Sequence, residues 1–449
     1  MGNENNRLAG RVKRYARVGA GLSGVAVKLA GTRIFGDSRD PDRFATDLAK
    51  ALGGLRGPLM KIAQLLSAIP DALPPAYAEA LGELQSNAPP MGWSFVKRRM
   101  RAELGVDWQT AFENFDKNSS AAASLGQVHR AAHKNGQHLA CKLQYPDMAS
   151  TVEADLNQLE VIFALHRRMQ GVIDTSQIAL ELSDRIREEL DYIREAKHIS
   201  LYRSIFQSDE RIQVPETFPE LSTGRLLTME WLEGRPLLSF REHSADQRNR
   251  LAEIMFRAWW MPLTSVGIIH GDPHPGNYSV FGEDNQVAGI NLLDYGCIRI
   301  FPPRFVESVV ALYRGLEAGD EELIVSAYEA WGFKGIDREL IDILNIWARF
   351  IYGPMLEDRK RSLADGIKPG QYGRKEAFRV HTALKARGPL TIPREFVFMD
   401  RAAIGLGSAF LHLDAELNFY QLFQEQIDGF DLDSLTVRQQ SEIELAGLL

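Results

Sequence analysis

Cysteine is scarce in this chain. Cys141 and Cys297 are the only two, both beside apolar residues and neither with a partner at metal-ligand spacing. That excludes a disulfide-stapled scaffold and a cysteine-built metal centre, and it fits a reducing cytoplasm. Long hydrophobic runs are missing too, so no transmembrane helix is expected. No secretory core with a cleavage site opens the sequence, and Asn6 stands where a myristoylation signal needs Ser or Thr. Positive charge is not in excess: 59 acidic residues face 52 basic ones, a net of −7, which argues against a nucleic-acid partner. The expected location is cytoplasmic, with peripheral contact at the inner face of a membrane the one membrane role left open. What is present is ordinary for a globular protein, 45% apolar and 25% charged over 449 residues. The length leaves room for roughly two to three domain-sized units.

Residues 1–36 stand apart as a basic leader. Arg7, Arg11, Lys13, Arg14, Arg17, Lys28 and Arg33 face only Glu4 as an acid. A G-x-G-x-x-G at Gly19, Gly21 and Gly24 lacks the preceding strand that dinucleotide binding requires. A basic small-residue helix touching anionic lipid and a plain flexible leader are the other two readings. Residues 37–105 read as a helical segment, with loop joints at Pro74-Pro75 and Pro89-Pro90. Within it Pro58 suits a first helical turn, and Lys61 and Gln64, three apart, share one face. Taken alone, that face is better explained by solvent than by a site.

Residues 106–233 change pattern. Ala121, Ala122, Ala123 and Ser124 make a small-residue loop, followed by a turn at Asn135-Gly136 and a strand from Leu139 to Gln144 that contains Lys142. A small-residue loop, a hairpin and a strand lysine form the nucleotide roof of a kinase-like N-lobe, where the lysine meets the α and β phosphates. Alanine at the loop tip, in place of glycine, should narrow the phosphate channel and restrict φ. Two helices are expected next. The first carries Leu156, Leu159 and Phe163 on one face; the second runs from Ser176 to Phe206 and holds Glu188, Glu189, Asp191 and Glu195. Glu189 and Glu195 lie six apart and point in different directions on a helix, so only one can pair with Lys142. Leu226 to Trp231 supplies a strand ending at a linker, which puts Glu230 where an adenine-binding hinge would sit.

Residues 234–449 read mostly helical, with Leu251 to Val266 as an apolar helix whose Trp259 and Trp260 belong in the core. It leads into His270-Gly271-Asp272-Pro273-His274-Pro275-Gly276-Asn277, answered later by Leu293-Asp294-Tyr295-Gly296. In phosphotransfer sites a loop aspartate orients the attacking hydroxyl, while an asparagine and a second aspartate hold magnesium. Asp272 takes the first role; Asn277 and Asp294 take the others. Strands are expected at Tyr278–Phe281 and Val287–Leu293. Gly271 replaces the arginine of ordinary kinase loops and no Ala-Pro-Glu follows Asp294, so control through that arginine is not expected and a protein substrate is disfavoured.

In these motifs and their order the chain resembles the atypical kinases called UbiB in bacteria and ADCK in animals. The K-x-G-Q motif is matched by Lys61-Ile62-Ala63-Gln64, with Ala63 in the glycine position. The alanine-rich loop is matched at Ala121 to Ser124, the strand lysine at Lys142 and the E-x-D motif by Glu189-Leu190-Asp191, with Glu195 following. The resemblance implies an α+β, two-lobed protein-kinase-like fold, with a small β-containing N-lobe, a mostly helical C-lobe and the N-terminal helical extension across the active site. It implies ATP or ADP with Mg2+, ATPase or phosphotransfer chemistry, and support of ubiquinone biosynthesis with lipid or membrane-surface contact and quinone-biosynthesis partners. In that arrangement Glu189 and Asp191 would answer Lys61, leaving Glu195 to Lys142. A small-molecule kinase of the aminoglycoside or choline type shares the His-Gly-Asp motif, and a non-catalytic nucleotide-gated lipid-binding scaffold would also need these residues.

Overall fold

The computed structural model describes residues 91–449, except 124, 151, 154–155, 157–182, 185, 284–285, 364–375, 377–378, 381, 384–392 and 449. The expectations for Lys61, Gln64, Ser124, the basic leader and most of the first post-lysine helix therefore lie outside the described residues.

An antiparallel sheet builds the smaller lobe. Strands β1 (Phe112–Phe115), β3 (Gly126–His133), β4 (His138–Gln144) and β6 (Leu226–Glu230) lie side by side in that order, and β2 (Ala121–Ala123) pairs with β3. β4 is central and reads as a nearly continuous apolar run, so after His138 every residue is buried. Helix α1 (Trp93–Leu104) covers one face, pressing Val96 and Met100 onto Trp108, Phe112, Leu139, Cys141 and Leu143. Helix α1, at the end of the 37–105 segment, thus shares the core of this lobe.

The alanine stretch differs from expectation. Ala121–Ala123 is a strand, with Ala121 opposite Val128 and Ala123 opposite Gly126, so the alanines do not form the tip. Backbone pairing with β3 draws the alanines out of the loop. Gly126 has a steric reason: a Cβ there would lie 2.2 Å from the Leu143 carbonyl oxygen.

The larger lobe is organised on helix α3 (Ala245–Val266). Ser244 caps it, accepting from the Gln247 N–H, and Gly267 ends it at φ +71°. Its Trp259 and Trp260 are buried, Trp260 meeting Phe423 edge-on. Around it lie α4 (Pro303–Ala318), α5 (Glu321–Ala330), α6 (Arg338–Tyr352), α7 (Arg394–Leu413), α8 (Phe419–Ile427) and α9 (Leu432–Leu445). Two small sheets pack against α3. One orders β5 (Ile212–Gln213), β10 (Gln286–Leu292), β9 (Tyr278–Glu283) and β7 (Arg235–Pro236); the other pairs β8 (Ile268–His270) with β11 (Ile298–Ile300). Helix α2 (Tyr192–Ile205) packs between the lobes. An antiparallel sheet lobe joined to a helical lobe is the two-lobed kinase-like arrangement.

Candidate active site

The site forms where β4, α2 and the turn after β10 converge. Lys142 projects from the central strand, opposite Val128 and Leu227, and its Nζ donates to Glu195 Oε1 at 2.6 Å and to Asp294 Oδ1 at 3.3 Å. The Tyr192 ring lies 5.2 Å from the same ammonium. Burial alone would favour a neutral amine, but Asp294 and Glu195 hold the Lys142 pKa well above its ordinary value. For Glu195, burial pushes the carboxyl upward against the pull of Lys142.

The helix carrying Glu195 is not the continuous Ser176–Phe206 helix expected from the sequence. A turn at Glu189-Leu190 interrupts it, and Asp191 restarts it by accepting the Arg194 N–H at 3.0 Å. The cap fixes the phase of α2, so Glu195, in its first turn, faces Lys142. Glu189 points elsewhere: its Oε1 accepts from the Cys297 thiol at 3.4 Å. Asp191 serves as the cap.

The loop from His270 to Asn277 is tied from several sides. Trp259 Nε1 donates to the His270 carbonyl at 3.1 Å, and the Gly271 N–H donates to the Cys297 carbonyl at 2.8 Å. The His270 ring bridges two segments: Nδ1 accepts the Asp272 N–H at 3.2 Å, and Nε2 donates to the Asp294 carbonyl at 2.6 Å. Asn277 Nδ2 donates to the Asp272 carbonyl at 2.8 Å. With its nitrogen engaged there, Asn277 has its oxygen left to offer a cation. Pro275 and Asn277 bound a short 3-10 turn, so no α-helix runs through the loop. Gly271 is a steric necessity, because a Cβ would sit 2.6 Å from the Cys297 carbonyl oxygen.

After β10, the Gly296 N–H donates to Asp294 Oδ1 at 3.1 Å. Tyr295 turns inward, fully buried, its OH donating to the Leu292 carbonyl at 3.0 Å. From α2, His198 Nδ1 donates to the Tyr295 carbonyl at 3.0 Å, and burial lowers the His198 pKa to about 4. Magnesium keeps several waters and asks for one or two carboxylates plus phosphate oxygens. Asp294, partly exposed, and the Asn277 oxygen fit that demand. Among the described residues no group of three His, Cys, Asp or Glu gathers at metal distance, so phosphate oxygens would have to complete the shell.

At the roof, Ala121 and Ala122 are exposed. Glu230, ending β6, lies opposite Leu139 and its Oε2 accepts from the Glu216 N–H at 3.3 Å. Sequence reasoning missed Gln127 and His129, buried on one face of β3. The Gln127 amide accepts from the Met91 N–H at 2.6 Å and donates to the Met91 carbonyl at 3.3 Å, while its nitrogen also meets His129 Nε2 at 2.7 Å. Polar residues two apart, and so on one face of the strand, were the available signal. Arg299 and His198 were missed as well.

Comparison with known proteins follows the same lines. The family described as the ABC1 atypical kinase-like domain matches residues 83–328, more than half of the chain. Similar proteins include the mitochondrial atypical kinase COQ8 of Saccharomyces cerevisiae, 30% identical over 59% of this chain and 52% of its own. The AarF domain-containing protein kinase 1 of Xenopus laevis is 30% identical, over 60% of this chain and 52% of its own. The chain thus aligns with about half the length of these curated relatives. Among solved structures, the Rv3197–erythromycin complex from Mycobacterium tuberculosis matches with a TM-score of 0.59 and 25% identity, over 91% of this chain and 98% of that one.

Proposed function

The chain belongs to the ABC1 atypical kinase-like family, and on that premise we propose that it binds ATP or ADP with magnesium between its lobes and hydrolyses ATP or transfers its terminal phosphoryl group. One observation carries the reading. The Lys142 ammonium is held at 2.6 Å by the buried Glu195 and leans at 3.3 Å on Asp294, the disposition of a lysine waiting for phosphate. Lys142 would meet the α and β phosphates, and Asp272 would orient the attacking hydroxyl or water. Asn277 and Asp294 would hold the metal, which when bound neutralises charge on the phosphates. Ala121, Ala122, Ala123 and Ser124 would roof the nucleotide, and Glu230 would stand at the adenine hinge. Lys61 and Gln64 would approach Glu189 and Asp191 from the extension.

The test is Asp294→Asn. An amide supplies no charge to a hard cation, so thermal stabilisation by Mg-ATP should disappear. Unchanged stabilisation in that variant would remove the assignment. The family resemblance, together with the COQ8 relative, further supports a role in ubiquinone biosynthesis, with contacts to a lipid or membrane surface and to quinone-biosynthesis proteins. Normal quinone intermediates in a deletion strain would count against that role.

A second reading has one specific observation behind it: the structural neighbour that covers 91% of this chain was solved with erythromycin. A small-molecule ligand, as acceptor or as cargo, would then occupy this fold. Titration of the chain with erythromycin, with and without Mg-ATP, distinguishes the two.

A further inference from the structure

In ordinary kinases the mobile helix bearing the glutamate is controlled through the activation segment, commonly by arginine–phosphate pairing. Here the loop position that usually carries arginine is Gly271, which tolerates no side chain. The nearest side chain to a Cβ built there belongs to Arg299, whose Cγ would be 3.6 Å away.

Arg299 sits on β11 opposite Ile269, and its side chain is only 8% exposed. Its Nη1 donates to Glu188 Oε2 at 3.2 Å and to the Ile298 carbonyl at 2.6 Å. The other oxygen of the same carboxylate, Glu188 Oε1, lies 3.1 Å from Arg194 Nη1. Arg194 is in the first turn of α2 and directly precedes Glu195. One carboxylate therefore joins the strand beside the catalytic loop to the start of the helix that carries the lysine's partner. A planar guanidinium with several donors suits such a junction better than a single ammonium would.

We propose that Arg299 is a positioning residue that takes over, from β11, the task of the absent loop arginine: through Glu188 it pins the start of α2 and keeps Glu195 on Lys142 without a phosphorylated activation segment. Its consequence for ligand affinity rests on the nucleotide reading above; its consequence for α2 does not. Two readouts on the full chain keep these separate. Amide hydrogen exchange across 192–205 should speed up in Arg299→Met and in Glu188→Gln, with the double variant no worse than the stronger single. Mg-ATP affinity should fall about tenfold in Arg299→Met, mid-range for contacting charged groups, and show no further loss in a Glu195→Gln background. Unchanged exchange in α2, or strictly additive affinity losses, overturns the inference. Should Arg299→Met fail to fold, Glu188→Gln alone decides it: faster exchange confined to α2 supports the role, and wild-type exchange refutes it. If the unaltered chain binds no Mg-ATP, the nucleotide reading fails while the exchange result still stands.

Discussion

Substituting Gly271 by alanine adds one carbon to the catalytic loop, and the structure sets the size of the effect. The new Cβ would lie 2.6 Å from the Cys297 carbonyl oxygen, where ordinary contact begins at 3.4 Å. One of the two backbones has to retreat by about 0.8 Å, the difference between those distances. The neighbour is a backbone atom of the segment entering β11, so no side-chain rotation can relieve the clash. Overpacking of this kind costs about 1–3 kcal/mol. The retreat also stretches the 2.8 Å hydrogen bond from the Gly271 N–H to Cys297, which is worth about 1 kcal/mol. A loss of about 2–4 kcal/mol in urea unfolding follows. Asp272, the proposed catalytic carboxylate, is the next residue, and a displacement near 1 Å at a reacting group costs on the order of a hundredfold in rate. On the proposed reading, ATP hydrolysis should therefore fall further than thermal stability alone explains. A variant within about 0.5 kcal/mol of the parent and fully active would refute the steric account of this glycine.

Stability should also depend on acid through His198. Its folded pKa, about 4, lies below the ordinary 6.5, so its contribution is complete above 6.5 and is lost as pH falls through about 4. That window corresponds to roughly 3 kcal/mol, and His198→Gln should flatten the urea midpoint across it; an equally steep variant would show the slope belongs to other groups. Changing Lys61 to Ala and Glu189 to Ala should alter Mg-ATP affinity in the same direction and non-additively, whereas strict additivity in the double-mutant cycle would return Lys61 to solvent.

Much of this site is local in sequence, and that part was legible. Lys142 stands in an apolar run bounded by a turn, and Asp272, Asn277 and Asp294 lie on short segments whose prolines and flanking strands fix their order. The break before α2 was not legible, because Glu188, Glu189 and Leu190 are all good helix formers. It depends on Asp191 claiming the Arg194 N–H and on a tie from Glu188 to Arg299, a partner 111 positions away. Nor could composition show the alanines pairing as β2, since alanine favours a helix until a strand edge is offered. The Gln127 clamp failed for the same reason: its meaning depends on Met91, 36 positions earlier.

That clamp has a mechanical consequence. Both backbone polar groups of Met91 are held by one amide on β3, and β3 is the strand whose Val128 lies opposite Lys142. A pull applied at Met91 therefore loads β3, one strand from the lysine. Because β3 pairs with the whole length of β4, from Gly126 opposite Gln144 to Ala132 opposite His138, that load passes directly to the lysine's strand.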